Sequence, residues 1–141
     1  MEQKDYLMNQ INEMGRVLGK ILADLFRLKI QGKVSDSVQF VNHSLKQKIA
    51  FGFDELLELP ARKMVDLLQI EQGFNDENLE SLADLMHETA ELNDLKSDSK
   101  LSNHLNQRAL EILEHLNDYS ETFSVTRENH IRKIKVRMKN S

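Results

Sequence analysis

The sequence predicts an all-α protein, a helical bundle of about six helices led by one long N-terminal helix. Three observations predict it. Over Asp5 to Gln31 the residues Leu7, Ile11, Met14, Leu18, Ile21, Leu25 and Leu28 follow one another at steps of 4, 3, 4, 3, 4 and 3, an unbroken heptad seam. One proline and five glycines in 141 residues suit helices joined by short connections. Apolar stretches with helical spacing alternate along the chain with glycine stops and Ser, Asp or Asn starts. This length is expected to make a single domain, 1–141, able to bury roughly two-thirds of its unfolded surface.

The first helix carries a second apolar stripe beside its seam: Met8, Gly15, Gly19, Leu22 and Phe26. Two adjoining stripes let a helix touch two neighbours, which favours a bundle over a two-stranded coiled coil. Its remaining face mixes Glu13, Arg16, Lys20, Asp24 and Arg27 at spacings that suit a solvated surface. Each glycine costs a helix interior about 1 kcal/mol relative to alanine, so Gly15 and Gly19 need a reason. Their spacing lets another backbone approach closely, either as a pair tolerated in a core or as a contact with a second copy. Gly15, Gly19, Leu22 and Phe26 are therefore the candidate self-association residues. Lys20, Asp24 and Arg27 interrupt the most apolar part, so no membrane-spanning segment is expected.

Gly32 is placed to end this helix. Ser35 or Asp36 caps a second one carrying Val34, Val38, Val41, Leu45 and Ile49, and Gly52 is expected to stop it. Phe53 to Leu59 reads as one or two turns capped by Asp54. Pro60 then opens a short helix over Ala61 to Gln69, with Met64, Val65, Leu67 and Leu68 inward, and Gly73 ends that one. Asn75 or Asp76 caps a helix running to about Asn93, where Glu77 and Glu80 sit well in the first turns and Phe74 packs on Leu79. Leu79, Leu82, Leu85, Met86, Ala90 and Leu92 point inward. After a loop over Asn93 to Ser99, a helix starting at Asp98 or Ser99 buries Leu101, Leu105, Ala109, Ile112, Leu113 and Leu116. The last begins near Ser124, after Phe123, with Ile131, Ile134 and Met138 on one face and Arg127, Arg132, Lys133, Lys135, Arg137 and Lys139 on the other.

The formal charge of −4 hides an asymmetry. Residues 54–98 hold three Lys/Arg against thirteen Asp/Glu, whereas residues 124–141 hold six against one. An acidic middle and a basic tail either attract each other or dock separate partners. For the tail, the candidate anion contacts are Arg127, Arg132, Lys135 and Lys139, which would serve nucleic acid or an anionic surface.

Chemistry-bearing patterns are few. With no cysteine, disulfides, thiolate metal sites and cysteine nucleophiles drop out. His87-Glu88-Thr89-Ala90-Glu91 approaches a zinc-protease helix, but that chemistry needs histidine where Glu91 stands. Asp84 with His87, and Glu111 with His115, share helical faces without the count a di-metal bundle needs. His43, His104 and His130 have no patterned partner in sequence. Neither a Gly-x-Ser-x-Gly elbow nor a glycine-rich phosphate loop occurs. The expectation is no enzyme, no cofactor and no metal. The N-terminus shows no signal-peptide pattern, so the expected location is cytoplasmic.

Asp5-Tyr6-Leu7-Met8-Asn9-Gln10-Ile11 with Met14, and Phe74-Asn75-Asp76-Glu77-Asn78-Leu79-Glu80 with Leu82-Ala83, resemble helix openings of small bacterial all-helical proteins. Ala109-Leu110-Glu111-Ile112-Leu113-Glu114 is similar to the second helix of a tetratricopeptide hairpin, where a small residue lets paired helices approach. The resemblance implies a tetratricopeptide-like array of helical hairpins and no particular activity. The expected function is that of a scaffold acting through protein–protein interaction, as a homodimer. The alternative is nucleic-acid or anionic-surface binding through the basic final helix.

Overall fold

The computed structural model describes the backbone of residues 2–33, 37–94, 99–119 and 124–139, and the side chains of these from residue 13 onward except 94 and 99. Expectations for Leu7, Met8, Ile11, Val34, Ser35, Asp36, Asp98, Ser99 and Phe123, and for the loop after Asn93, fall on residues or side chains outside that set. Among the described residues the chain is all-α, with seven helices and no strand. They are α1 (Glu2–Ile30), α2 (Ser37–Ile49), α3 (Phe53–Glu58), α4 (Ala61–Asp66), α5 (Asp76–Asp94), α6 (Ser99–Tyr119) and α7 (Val125–Lys139). α4 continues into a wider π-helical turn over Leu67–Glu71.

The ends of these helices follow from local chemistry. At the close of α1, Gly32 adopts φ +74°, Lys33 N–H donates to the Leu28 carbonyl at 2.9 Å, and Gly32 N–H donates to Lys29 at 3.1 Å. This is the paired hydrogen-bond closure that a left-handed residue makes possible. α2 ends differently from expectation. Ala50, not Gly52, takes the left-handed turn, at φ 68°, while Gly52 is extended and leads into α3. Gly52 is needed for another reason: a Cβ there would lie 2.8 Å from Asp54 Oδ1 and 3.1 Å from Asn42 Oδ1. Asn42 of α2 accepts the Phe53 N–H at 2.6 Å and so satisfies the start of α3 from a neighbouring helix. Lys46 Nζ donates to Asp54 Oδ2 at 3.0 Å. That hydrogen bond holds the Asp54 carboxyl below its ordinary range and the Lys46 ammonium above its own. The π-helical end of α4 closes when Phe74 N–H reaches back to the Leu68 carbonyl, with Gly73 at φ +69°. α5 opens on a reciprocal cap: Asn78 N–H donates to Asn75 Oδ1 at 2.8 Å, and Asn75 N–H to Asn78 Oδ1 at 3.1 Å. Ser124 caps α7 by accepting the Arg127 N–H at 3.1 Å.

The centre of the bundle is α5. Leu79, Leu82, Ala83, Leu85, Met86, Ala90 and Leu92 are buried, and so are its polar Asn78, His87, Thr89 and Asn93. A helix buried on nearly every side lies inside the layers rather than on them. α6 runs antiparallel to α5 in the most extensive contact of the fold, with His87 facing Asn106 and Asn93 facing Ser102. α1 lies along another side of α5, with Gly15 beside Asn78 and Leu22 and Phe26 beside His87 and Glu88, so the two helices run parallel. α2 fills the angle between α1 and α5, α3 and α4 cross α6, and α7 returns along α6.

α1 is thus the longest helix and a continuous one, but among the described residues it packs mainly on α5 and α2 and is not wrapped by the other helices. Among its described side chains the buried apolar ones are Leu18, Ile21 and Leu25, part of the expected seam, with Met14, Val17 and Leu22 packed at the margin of the core.

Two of these turns make opposite predictions. Ala50→Gly removes the Cβ penalty of the left-handed conformation and is expected to raise unfolding free energy by about 1 kcal/mol in urea denaturation. Gly73→Ala introduces that penalty and is expected to lower it by about as much.

Candidate functional site

The basic tail folds back on the acidic middle. Along α5 the carboxylates Glu80, Asp84 and Glu91 meet, in the same order, Arg127, His130 and Arg137 of α7. The N–O separations are 3.6, 2.8 and 2.8 Å, and the shared order makes α7 parallel to α5. Lys135 adds a contact to Glu114 of α6 at 3.5 Å. Asn117 of α6 bridges the start of α7, accepting from Arg127 at 3.2 Å and donating to Glu128 at 3.1 Å.

This arrangement splits the four candidate anion contacts. Arg127 is 5% exposed and its guanidinium is turned onto Glu80 and Asn117, so it is a structural residue rather than part of an exposed basic face. The sequence carried a signal for this: Arg127, Ile131, Ile134 and Met138 fall at steps of 4, 3 and 4 on one stripe. Lys135 is tied to Glu114 at a solvated position. Arg132 and Lys139 are exposed, as is Lys133, and among the described residues none of these three forms an ion pair.

The four candidate self-association residues also divide. Gly15 faces its own chain, where a Cβ would stand 3.8 Å from Asn78 Nδ2, an ordinary contact. Gly19 is exposed with open space around it. Leu22 is half-buried, Phe26 is 39% exposed, and Ile30, one turn further on, is 86% exposed. Ile30 escaped the sequence reading because it lies beyond the heptad seam, although it stands four residues after Phe26.

Leu22 and Phe26 form the apolar wall of a cleft of about 370 Å³ between α1, α5 and α7. Asp84, His87 and Glu88 of α5 line its floor, and His130 and Lys133 of α7 its far side. The rings of His87 and His130 stand 5.5 Å apart at 68°. His130, which has no patterned partner in the linear sequence, therefore meets both Asp84 and His87 in the fold. His87 is 2% exposed and its Nδ1 lies 2.8 Å from Asn106 Oδ1. Elsewhere, Glu111 and His115 line a separate groove against α4, where His115 packs on the exposed Tyr119 at 4.7 Å. Among the described residues no three carboxylate or imidazole groups stand around one point as a metal cage, and no helix is long and apolar enough to cross a membrane.

Burial decides what each cation contributes. Arg127→Ala leaves Glu80 and Asn117 without their partner inside the bundle. It is expected to cost about 1–3 kcal/mol, below the full cost of breaking a buried pair because Glu80 is partly solvated. Lys135→Ala, at a solvated pair, is expected to change stability by no more than about 0.5 kcal/mol. Chemical denaturation of the two variants measures the contrast.

No known protein family, curated protein or solved structure shows significant similarity to this chain.

Proposed function

We propose that this protein is a cytoplasmic helical scaffold that acts through protein–protein contact and self-associates through the outer flank of α1. The observation that carries the reading is the apolar strip of Leu22, Phe26 and Ile30, which the rest of the chain leaves partly or largely uncovered. Gly19, one turn before Leu22 and open to solvent, removes the side chain that would hold a second helix at a distance. A two-fold pairing of α1 with its copy would bury both strips against each other, as isologous contacts do. The antiparallel α5–α6 hairpin, with Ala83, Ala90 and Ala109 fully buried, supports a tetratricopeptide-like mode of helix pairing for the scaffold itself. The role is one of binding rather than catalysis.

A second reading rests on Arg132, Lys133 and Lys139, which stay exposed after the rest of the tail has paired internally. Three exposed cations on one helix suit phosphate groups of nucleic acid or an anionic surface.

Sedimentation velocity across a wide concentration range is expected to show a monomer–dimer equilibrium. The double variant F26E/I30E should shift it to monomer with helical circular dichroism unchanged. A strict monomer at every concentration removes the self-association. For the second reading, binding to RNA, DNA or acidic vesicles should weaken steeply with salt, and R132A/K133A/K139A should abolish it. Absent or salt-insensitive binding disposes of that reading.

A further inference from the structure

We propose that His87 and His130 form a binding site for a borderline transition-metal ion, of which Zn²⁺ is the natural probe. Both imidazoles have Nδ1 anchored on an oxygen: His87 on Asn106 Oδ1 at 2.8 Å and His130 on Asp84 Oδ1 at 2.8 Å. An oxygen acceptor at Nδ1 places the proton there, so in the neutral ring the lone pair sits on Nε2. Outer oxygen acceptors impose this same tautomer and ring orientation on metal-binding histidines. Neither Nε2 makes a hydrogen bond among the described residues, and both rings line the same cleft.

The spacing also fits. Two imidazoles bound through nitrogen at about 2.0–2.1 Å to one tetrahedral ion place their ring centres about 5 Å apart. The observed separation is 5.5 Å. An edge-on ring contact explains that distance equally well, but it does not explain why both rings are pinned at Nδ1 by oxygens from two different helices. Asp84 is contributed by α5 and Asn106 by α6, so the two anchors are independent of each other.

Only two donors are in place, which is why no three-group cage is present. Glu88, the third candidate, lines the same cleft. Water would fill what remains, giving an open, moderate-affinity site. Around it stand two carboxylates, Asp84 and Glu88, and one ammonium, Lys133; α1 contributes only Leu22 and Phe26, and α6 the neutral Asn106. Lys133 opposes a cation there, so its removal should tighten binding.

The test is calorimetric titration of the tag-free, metal-stripped full chain with Zn²⁺. One ion per chain is expected, with affinity at least about tenfold weaker in H130Q. D84A removes an exposed carboxylate that orients His130, and should weaken binding by about 10- to 100-fold. K133A should strengthen it. Because H87Q alters a buried position, its folding need not be relied on. Instead, side-chain ¹⁵N spectra of the wild-type protein should show Zn²⁺ shifting Nε2 of His87 and His130 while His43 and His104 stay still. Absence of binding, binding undiminished in H130Q, or shifts confined to other histidines would each overturn the proposal.

Discussion

Burial of α5 on nearly every side is the constraint on which the rest of the structure depends. A helix with apolar residues on one stripe can leave its polar groups to water, but α5 keeps Asn78, His87, Thr89 and Asn93 inside. Each must find a partner within the protein, because a buried polar group without one costs about 1–3 kcal/mol. Asn78 answers Asn75, Thr89 returns its hydroxyl to the Leu85 carbonyl, Asn93 donates to Ser102, and His87 faces Asn106. Two of these partners belong to α6, so the register of the α5–α6 hairpin is set by polar pairing as well as by apolar packing. A shift of one residue between the helices would strand both pairs at once.

The charges obey the same logic at the next layer out. Glu80, Asp84 and Glu91 line the side of α5 that faces α7, and the tail supplies Arg127, His130 and Arg137 in matching order. Partly solvated pairs of this kind contribute little individually. Their value lies in placement: the matching order seats Arg127, His130 and Arg137 each opposite a carboxylate of α5. Arg127 differs because Glu80, Asn117 and the Ser124 cap surround it where solvent is largely excluded.

Much of this was legible in the chain. Heptad spacing identified Leu18, Ile21 and Leu25 as inward residues, and Gly32, Gly73, Asn75 and Ser124 announced helix ends through the conformations and hydrogen bonds those residue types favour. The illegible parts are those that depend on residues far apart in sequence. His87, Thr89 and Asn93 look like the polar side of a surface helix until α6 brings Asn106 and Ser102 to two of them. His130 lies 46 positions after Asp84, so no local pattern links them. Ala50 has no local marker at all, since alanine rarely takes the left-handed turn that the packing of α3 on α2 requires. The candidate site divides the same way. The apolar flank of α1 could be read from spacing, whereas the cleft it borders exists only once three helices are side by side.

The parallel course of α1, α5 and α7 has an electrostatic consequence. Aligned peptide groups give each helix a partial negative charge at its C-terminus, equivalent to roughly half an electron. Three such ends gathered on one side of a bundle repel one another, and α5 has no basic residue of its own in its last turn. Arg27 and Lys29 close α1, Arg137 and Lys139 close α7, and Arg137 leans across to Glu91 near the end of α5. At that pole side-chain cations therefore offset stacked backbone dipoles, a compensation that dissolved salt screens.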